Sequence, residues 1–154
     1  MSFASPTPPH LRFAIAGLVA ISGALVMLAI GAIENMIAKN EILGMVAGAI
    51  FGATISGGLT ASLFGQPGQG GFGWACLGAV VATLLGAAIG GVGFALSLHV
   101  VDGQGTVSLS DVLGVAMLSS LVVASVIAGS WVAPVWMALM LVVHVAARWL
   151  RETA

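Results

Sequence analysis

The chain has 154 residues, of which 60% are hydrophobic and only 6% are charged. Soluble domains carry roughly 25% charged residues, so this composition excludes a water-soluble globule and predicts an integral membrane protein. The formal net charge of −1, without a basic cluster in the sequence, argues against nucleic acid as a partner. The single cysteine, Cys76, cannot form a disulfide within the chain.

The first apolar run follows a polar segment. Residues 1–11 contain Pro6, Pro8 and Pro9, which make a helix unfavourable there, so a flexible tail is predicted. Residues 12–33 match the roughly 20 residues that a transmembrane helix needs. A signal peptide would have an apolar region of only about 7–15 residues, so an uncleaved first span is favoured.

Two more apolar runs, 42–64 and 74–101, are predicted to be the second and third spans. Their polar connections are 34–41, 65–73 and 102–111. Ser108 and Ser110 are alternative N-caps for the helix that follows the last of these connections.

Residues 112–150 are too long for one straight crossing of a ~30 Å hydrocarbon core at 1.5 Å per residue. One alternative is two short spans, 110–129 and 132–150, with a turn at Gly129-Ser130. The other is a single span that is kinked around Pro134 and continues as an interfacial extension. The chain would then have five spans or four.

The tryptophans favour five spans. Trp131 and Trp149 lie about 27 Å apart along a helix, which is close to one membrane thickness. Tryptophan prefers both membrane interfaces, so each would mark one of them. The predicted fold is therefore all-α, a polytopic helix bundle with one transmembrane domain over 12–150 and a C-terminal tail, 151–154.

The basic residues do not decide between the two alternatives. Five spans with the N-terminus outside place Lys39, Arg148 and Arg151 inside and Arg12 outside. Four spans with the N-terminus inside place Arg12, Arg148 and Arg151 inside and Lys39 outside. Both put the C-terminus in the cytoplasm, where Arg148 and Arg151 are expected to reach lipid phosphates. The alternative role of this tail is docking a cytosolic partner.

Small residues recur at every fourth position of spans two and three, which places them on one face of each helix. The predicted helix-packing residues are Gly44, Gly48, Gly52, Ser56, Gly78, Ala82, Gly86 and Gly90. A second stripe on span three consists of Ala75, Ala79, Thr83, Ala87, Gly91 and Ala95.

In lipid, small residues let helix backbones approach closely and gain van der Waals contact. Spans two and three are therefore predicted to form a tight hairpin. The second stripe would then leave a face for another protein chain. A pore lined by glycine backbone is a further alternative.

No catalytic motif is present, and the acidic residues fall in predicted loops, so the chain is expected not to be an enzyme. The candidate cofactor ligands are His99 and His144. In the five-span arrangement they lie at similar depth and could together bind haem or another tetrapyrrole. Otherwise each is an interfacial histidine that is hydrogen-bonded to backbone or lipid.

Residues 67–91 resemble the small transglycosylase-associated membrane proteins of bacteria. The shared features are Pro67-Gly68, Gly71-Phe72, Leu77-Gly78 and the closing Gly90-Gly91. The resemblance covers spans two and three. It implies a role in envelope stress and does not imply enzymatic activity.

These observations support four functional hypotheses. The first is a non-enzymatic accessory subunit of a larger respiratory, photosynthetic or transport complex, packed through its small-residue faces. The others are a small homo-oligomeric transporter or channel, a haem- or pigment-binding protein, and an envelope-stress protein. The expected partners are the lipid bilayer and either other membrane subunits or further copies of the chain. The expected location is the bacterial cytoplasmic (inner) membrane.

Overall fold

A computed structural model of the chain describes residues 7–34, 39–102 and 107–153. This part of the chain forms five α-helices and no strand. The helices are α1 (Pro9–Glu34), α2 (Lys39–Thr60), α3 (Gln69–Asp102), α4 (Leu109–Gly129) and α5 (Val132–Thr153), with a short 3-10 turn at Ala61–Leu63. Each of the five is long and apolar enough to span a membrane. The prediction of an all-α, multi-pass membrane bundle is confirmed.

Several helix ends differ from the predicted spans. α1 begins at Pro9, not at residue 12, because proline is tolerated in the first helical turn, where its missing N–H costs no hydrogen bond. α3 begins at Gln69, inside the predicted glycine-rich turn. The remaining turn uses Gly65 and Gly68, whose φ angles of 70° and 82° favour glycine. Residues 1–6, 35–38, 103–106 and 154 of the predicted tails and loops lie outside the described residues.

α4 begins with a capping box and ends at the predicted turn. The Ser108 hydroxyl accepts a hydrogen bond from the Asp111 N–H at 3.2 Å, and the Asp111 carboxylate accepts one from the Ser108 N–H at 3.0 Å. Ser108 is thus the N-cap. α4 ends at Gly129, and Ser130 separates it from α5. Pro134 lies in the first turn of α5, so it does not kink a continuous helix.

Successive helices α1, α2 and α3 run antiparallel. A Cβ on Gly57 in α2 would lie 3.1 Å from Ala16, near the start of α1, whereas one on Gly23 further along α1 would lie 3.0 Å from Ala53. Between α2 and α3, a Cβ on Gly48 would lie 2.9 Å from the carbonyl oxygen of Gly90. These three helices form the centre of the bundle, and α4 and α5 pack onto α3 and α1.

We call one end of the bundle the arginine end, defined by Thr7, the turn 64–68 and Arg151. The far end is defined by the last turn of α1, the first turn of α2 and the last turn of α3. Toward the arginine end the interior is filled by a cluster of buried residues from α1, α2, α3 and α5, including Ile15, Ala61, Phe64, Val143 and Ala147. A smaller cluster toward the far end joins Val26, Ile30, Ile127 and Val132.

Candidate functional site

The small-residue stripe of α2 faces the stripe of α3 in the same chain. A Cβ on Gly52 would collide with the carbonyl oxygen of Gly86 and would lie 2.6 Å from the N atom of Gly90. The Ser56 side chain, which is fully buried, lies 3.0 Å from the Cβ position of Gly86. Both backbones therefore approach each other at distances that only glycine allows.

The ends of the two stripes meet aromatic rings. A Cβ on Gly44 would lie 2.6 Å from the ring of Phe94, and one on Gly78 would lie 3.3 Å from the ring of Phe64. Ala82, which completes the α3 stripe, is 1% exposed. The predicted packing residues thus lie in the α2–α3 hairpin and in the aromatic contacts at its two ends.

The second stripe of α3 is occupied by α4 and α5. A Cβ on Gly91 would collide with the side chain of Ser119 in α4. The Thr83 hydroxyl accepts a hydrogen bond from the indole N–H of Trp136 in α5 at 2.9 Å. The face that the sequence offered to another protein chain is therefore largely covered within this chain.

The far half of the bundle contains an apolar cavity of about 500 Å³ that is lined by all five helices and is only partly enclosed. Its floor is formed by Val19, Ala82 and Met140, which also belong to the buried cluster toward the arginine end. The α4 residues of its wall are Val115, Leu118, Ser119, Val122, Val123 and Val126.

Among the described residues, three polar side chains line this cavity: Thr83, Ser119 and Trp136. Thr83 and Trp136 are bonded to each other, and the Thr83 hydroxyl also donates to the carbonyl oxygen of Ala79 at 2.8 Å. The Ser119 hydroxyl makes no hydrogen bond with the described residues, unlike the neighbouring Ser120, which donates to the carbonyl oxygens of Leu84 and Ala116. One hydroxyl in an apolar wall is therefore left for a ligand or a water molecule.

His99 and His144, the predicted cofactor ligands, are not brought together. His99 lies in the last turns of α3, toward the far end. The Nδ1 atom of His144 accepts a hydrogen bond from the Gly65 N–H at 3.1 Å, beside the start of α3. About thirty residues of helix, or roughly 45 Å, separate the two levels. The predicted pair required α5 to run parallel to α3, so that His99 and His144 would lie at the same depth. In the structure α5 runs antiparallel to α3, and the two histidines lie toward opposite ends of the bundle.

At the arginine end, one guanidinium group joins three segments of the chain. Arg151 donates hydrogen bonds to the carbonyl oxygens of Phe64 at 3.0 Å and Ala61 at 3.2 Å, and to the Thr7 hydroxyl at 3.2 Å. The Ala61 carbonyl oxygen also accepts a hydrogen bond from the Phe64 N–H at 3.3 Å within the 3-10 turn. Carbonyl groups at a helix end are favourable partners for a cation. Arg12 also donates to the Thr7 carbonyl oxygen, at 3.1 Å.

Arg148 differs from Arg151. Its guanidinium pairs with Glu152 at 2.8 Å on the exposed surface of α5, with both side chains more than half exposed. Sequence reasoning treated both arginines as lipid anchors and missed the structural role of Arg151. The sequence does not show which helix end lies next to Arg151, because this depends on how α5 packs against the rest of the bundle.

Among the residues that the structure describes, no group of three or more His, Cys, Asp or Glu side chains could hold a metal ion. The cavity lining was also missed from the sequence, because its residues come from five separate helices.

Comparison of the chain with protein-family models, with curated proteins and with solved structures gives no match. The resemblance to transglycosylase-associated proteins gains no support from these comparisons, and the envelope-stress hypothesis stays a prediction.

Proposed function

We propose that this protein is a non-enzymatic multi-pass membrane protein that binds the acyl chain of a lipid in its five-helix cavity. The observation that supports this proposal is the cavity itself, whose volume of about 500 Å³ lies within the roughly 300–1,000 Å³ of ligand sites. Ligand sites combine a mostly apolar lining with a few placed polar groups, and this cavity has that composition.

The chemistry of the lining limits the ligand. Among the residues that the structure describes, no side chain of Asp, Glu, Lys, Arg or His lines the cavity, so a charged group beside them would be desolvated without a partner. An acyl chain matches the aliphatic wall, and the bilayer around the exposed helix faces supplies it. The Ser119 hydroxyl can bond one ester carbonyl of such a lipid.

A pair of matched variants tests the proposal. Ala87→Leu adds three carbon atoms inside the cavity, whereas Ala138→Leu makes the same change at an exposed position of α5. The protein is extracted in mild detergent and weighed by native mass spectrometry, and bound lipid is identified after release.

We expect a lipid adduct on the wild-type protein and on Ala138→Leu, and its loss from Ala87→Leu. Equal adducts on all three proteins, or none on the wild type, would contradict lipid binding in this cavity.

The accessory-subunit hypothesis requires a different surface from the one first expected. Both small-residue stripes are largely used inside the chain, but α4 is open along its outer side. Ile127 is the one buried residue of this helix, all of which the structure describes. Leu113, Met117 and Leu121 follow one another at four-residue steps and are each more than half exposed.

A partner subunit would pack on that side of α4. Co-purification of a second protein that is lost on Met117→Gln but kept on Met137→Gln, on exposed α5, would support it. A homo-oligomeric transporter would instead show multiples of the chain mass alone.

The proposed location is the bacterial cytoplasmic membrane, with the C-terminus in the cytoplasm. Arg148 and Arg151 lie in the last turns of α5, and positive residues favour the cytoplasmic side of the membrane. Fractionation of cells that express the full chain tests the location directly.

A further inference from the structure

We infer that the chain crosses the bilayer four times, that Thr7 and Arg151 both lie on the cytoplasmic side, and that α4 begins and ends on the non-cytoplasmic side without crossing. This inference concerns topology and does not depend on lipid binding. It follows from the directions of the helices, taken in order below.

The two ends of the described chain meet. Arg151, in the last turn of α5, donates a hydrogen bond to the hydroxyl of Thr7, just before α1, at 3.2 Å. Alternating crossings put the two ends of a chain on one side only when their number is even. With an odd number, Thr7 and Arg151 would be separated by the ~30 Å hydrocarbon core.

The first three helices account for three crossings. α1 leaves the arginine end, α2 returns to it, and α3 leaves it again. Two contacts fix each direction: Gly57 with Ala16 and Gly23 with Ala53 between α1 and α2, and Gly52 with Gly86 and Gly48 with Gly90 between α2 and α3. α3 therefore ends at the far end. The remaining chain, α4 and α5 together, must return to the arginine end by an odd number of crossings.

α5 makes the return crossing by itself. Its first residue, Val132, packs in the cluster of Val26 and Ile30 in the second half of α1, and Trp136 bonds to Thr83 further down. Its last turn reaches the arginine end. Trp131 and Trp149, which are 55% and 63% exposed, lie about 27 Å apart along the helix, as expected of residues at two interfaces.

α4 therefore starts and stops in the far half. It follows the far end of α3, and Ile127 in its last turns packs with Ile30 and Val132. Its length would allow a crossing, but the chain then could not enter α5 at the far end. α4 instead forms the outer wall of the cavity in one leaflet, with Asp111 and its capping box at the start of the helix.

The distribution of charge assigns the sides. Arg12, Arg148 and Arg151 lie at the arginine end, and Lys39 starts α2 at the far end. These are all four Lys and Arg residues of the sequence, and the positive-inside rule places the end with three of them in the cytoplasm. The cavity, in the far half, then lies in the non-cytoplasmic leaflet.

Single cysteines in the full chain test this topology. Cys76→Ala removes the natural thiol, and Ser2→Cys, Thr106→Cys or Thr153→Cys then adds one thiol on each hydrophilic segment in question. Intact cells are treated with a membrane-impermeant maleimide before and after permeabilisation, and the Cys76→Ala protein is the blank.

We expect Thr106→Cys to be labelled in intact cells, and Ser2→Cys and Thr153→Cys only after permeabilisation. Five crossings with the C-terminus in the cytoplasm give the opposite result at two positions: Ser2→Cys is labelled in intact cells and Thr106→Cys is not. Labelling of Ser2→Cys and Thr153→Cys from opposite sides overturns the inference, whatever the cavity binds.

Discussion

The arginine half and the far half of this bundle use the same apolar residue types with opposite results. In the arginine half, α1, α2, α3 and α5 enclose a cluster in which Ile15, Phe64 and Ala147 are fully buried. In the far half the five helices surround a cavity of about 500 Å³. In lipid no hydrophobic effect draws helices together, so a gap persists unless side-chain shapes fit closely. The packed half stabilises the bundle, and the cavity is where we propose that a lipid binds.

The largest expected effect comes from breaking the glycine contact that joins both halves. Gly52→Leu places a side chain against the backbone of Gly86 and Gly90, which cannot move away without separating α2 from α3. Overpacking of this kind typically costs 1–3 kcal/mol, and backbone contact puts this variant at about 3 kcal/mol or more. Thermal unfolding in detergent measures the loss.

The matched control is Gly114→Leu in α4, where a Cβ meets nothing within 4 Å. Equal melting temperatures for the two variants would show that the α2–α3 contact does not hold the bundle together.

The next effect concerns the hydrogen bonds that Arg151 makes at the arginine end. Arg151→Met keeps the apolar stem but removes three hydrogen bonds to Phe64, Ala61 and Thr7. Hydrogen bonds to a charged group contribute about 1.5–3 kcal/mol, so a loss of about 2 kcal/mol is expected for this half-buried side chain.

Arg148→Met serves as the comparison, because its exposed i,i+4 pair with Glu152 contributes about 0.3–0.5 kcal/mol. A chemical unfolding series on both variants gives the two values. If Arg148→Met were the more destabilising change, the structural role assigned to Arg151 would be wrong.

A third prediction compares the halves directly with one substitution. Val143 is 1% exposed in the packed half, whereas Val122 lines the cavity and is 51% exposed. Val143→Ala opens a hole and is expected to cost about 1–2 kcal/mol, by analogy with larger truncations in cores. Val122→Ala only enlarges an existing space and should be close to neutral. Parallel melting curves in the same detergent check this difference, and equal losses would mean that the far half is packed as tightly as the other.

The smallest effect is expected at the hydrogen bond between α3 and α5. Thr83→Val leaves the indole N–H of Trp136 without its acceptor, and such interhelical bonds in membranes average about 0.6 kcal/mol. Thr54→Val removes a hydroxyl that bonds within its own helix to Ile50, so it should change less. Trp136 fluorescence and thermal unfolding follow both variants, and a larger loss from Thr54→Val would contradict the assignment.

The helices could be predicted because their signals are local. Apolar runs and polar interruptions predicted four or five spans, of which the tryptophan spacing favoured five. Gly48, Gly52, Gly86 and Gly90 were recognised by a four-residue period that needs no knowledge of the partner. The helix ends were harder. Pro9 opens α1 because a proline is accepted in a first turn, and a rule that counts prolines as helix breakers overlooks this position.

The candidate site could not be predicted in the same way. The second stripe of α3, which includes Gly91 and Thr83, was recognised from the sequence. Ser119 and Trp136, which contact this stripe, lie on helices whose orientation cannot be predicted from a local pattern. The proposed pairing of His99 with His144 was drawn from span counting alone. The structure does not bring the two histidines together, because His144 bonds to the turn at Gly65.

The sequence by itself indicated that this protein lies in lipid, that it is helical, and which faces of α2 and α3 carry small residues suited to close packing. Each of these depends on composition or on spacing within one helix. The tertiary structure alone decided that Arg151 meets Thr7, that α4 stays in the far half, and that a cavity opens between the five helices. These features depend on the direction in which the chain leaves each short connection, and contacts between residues far apart in the sequence fix that direction.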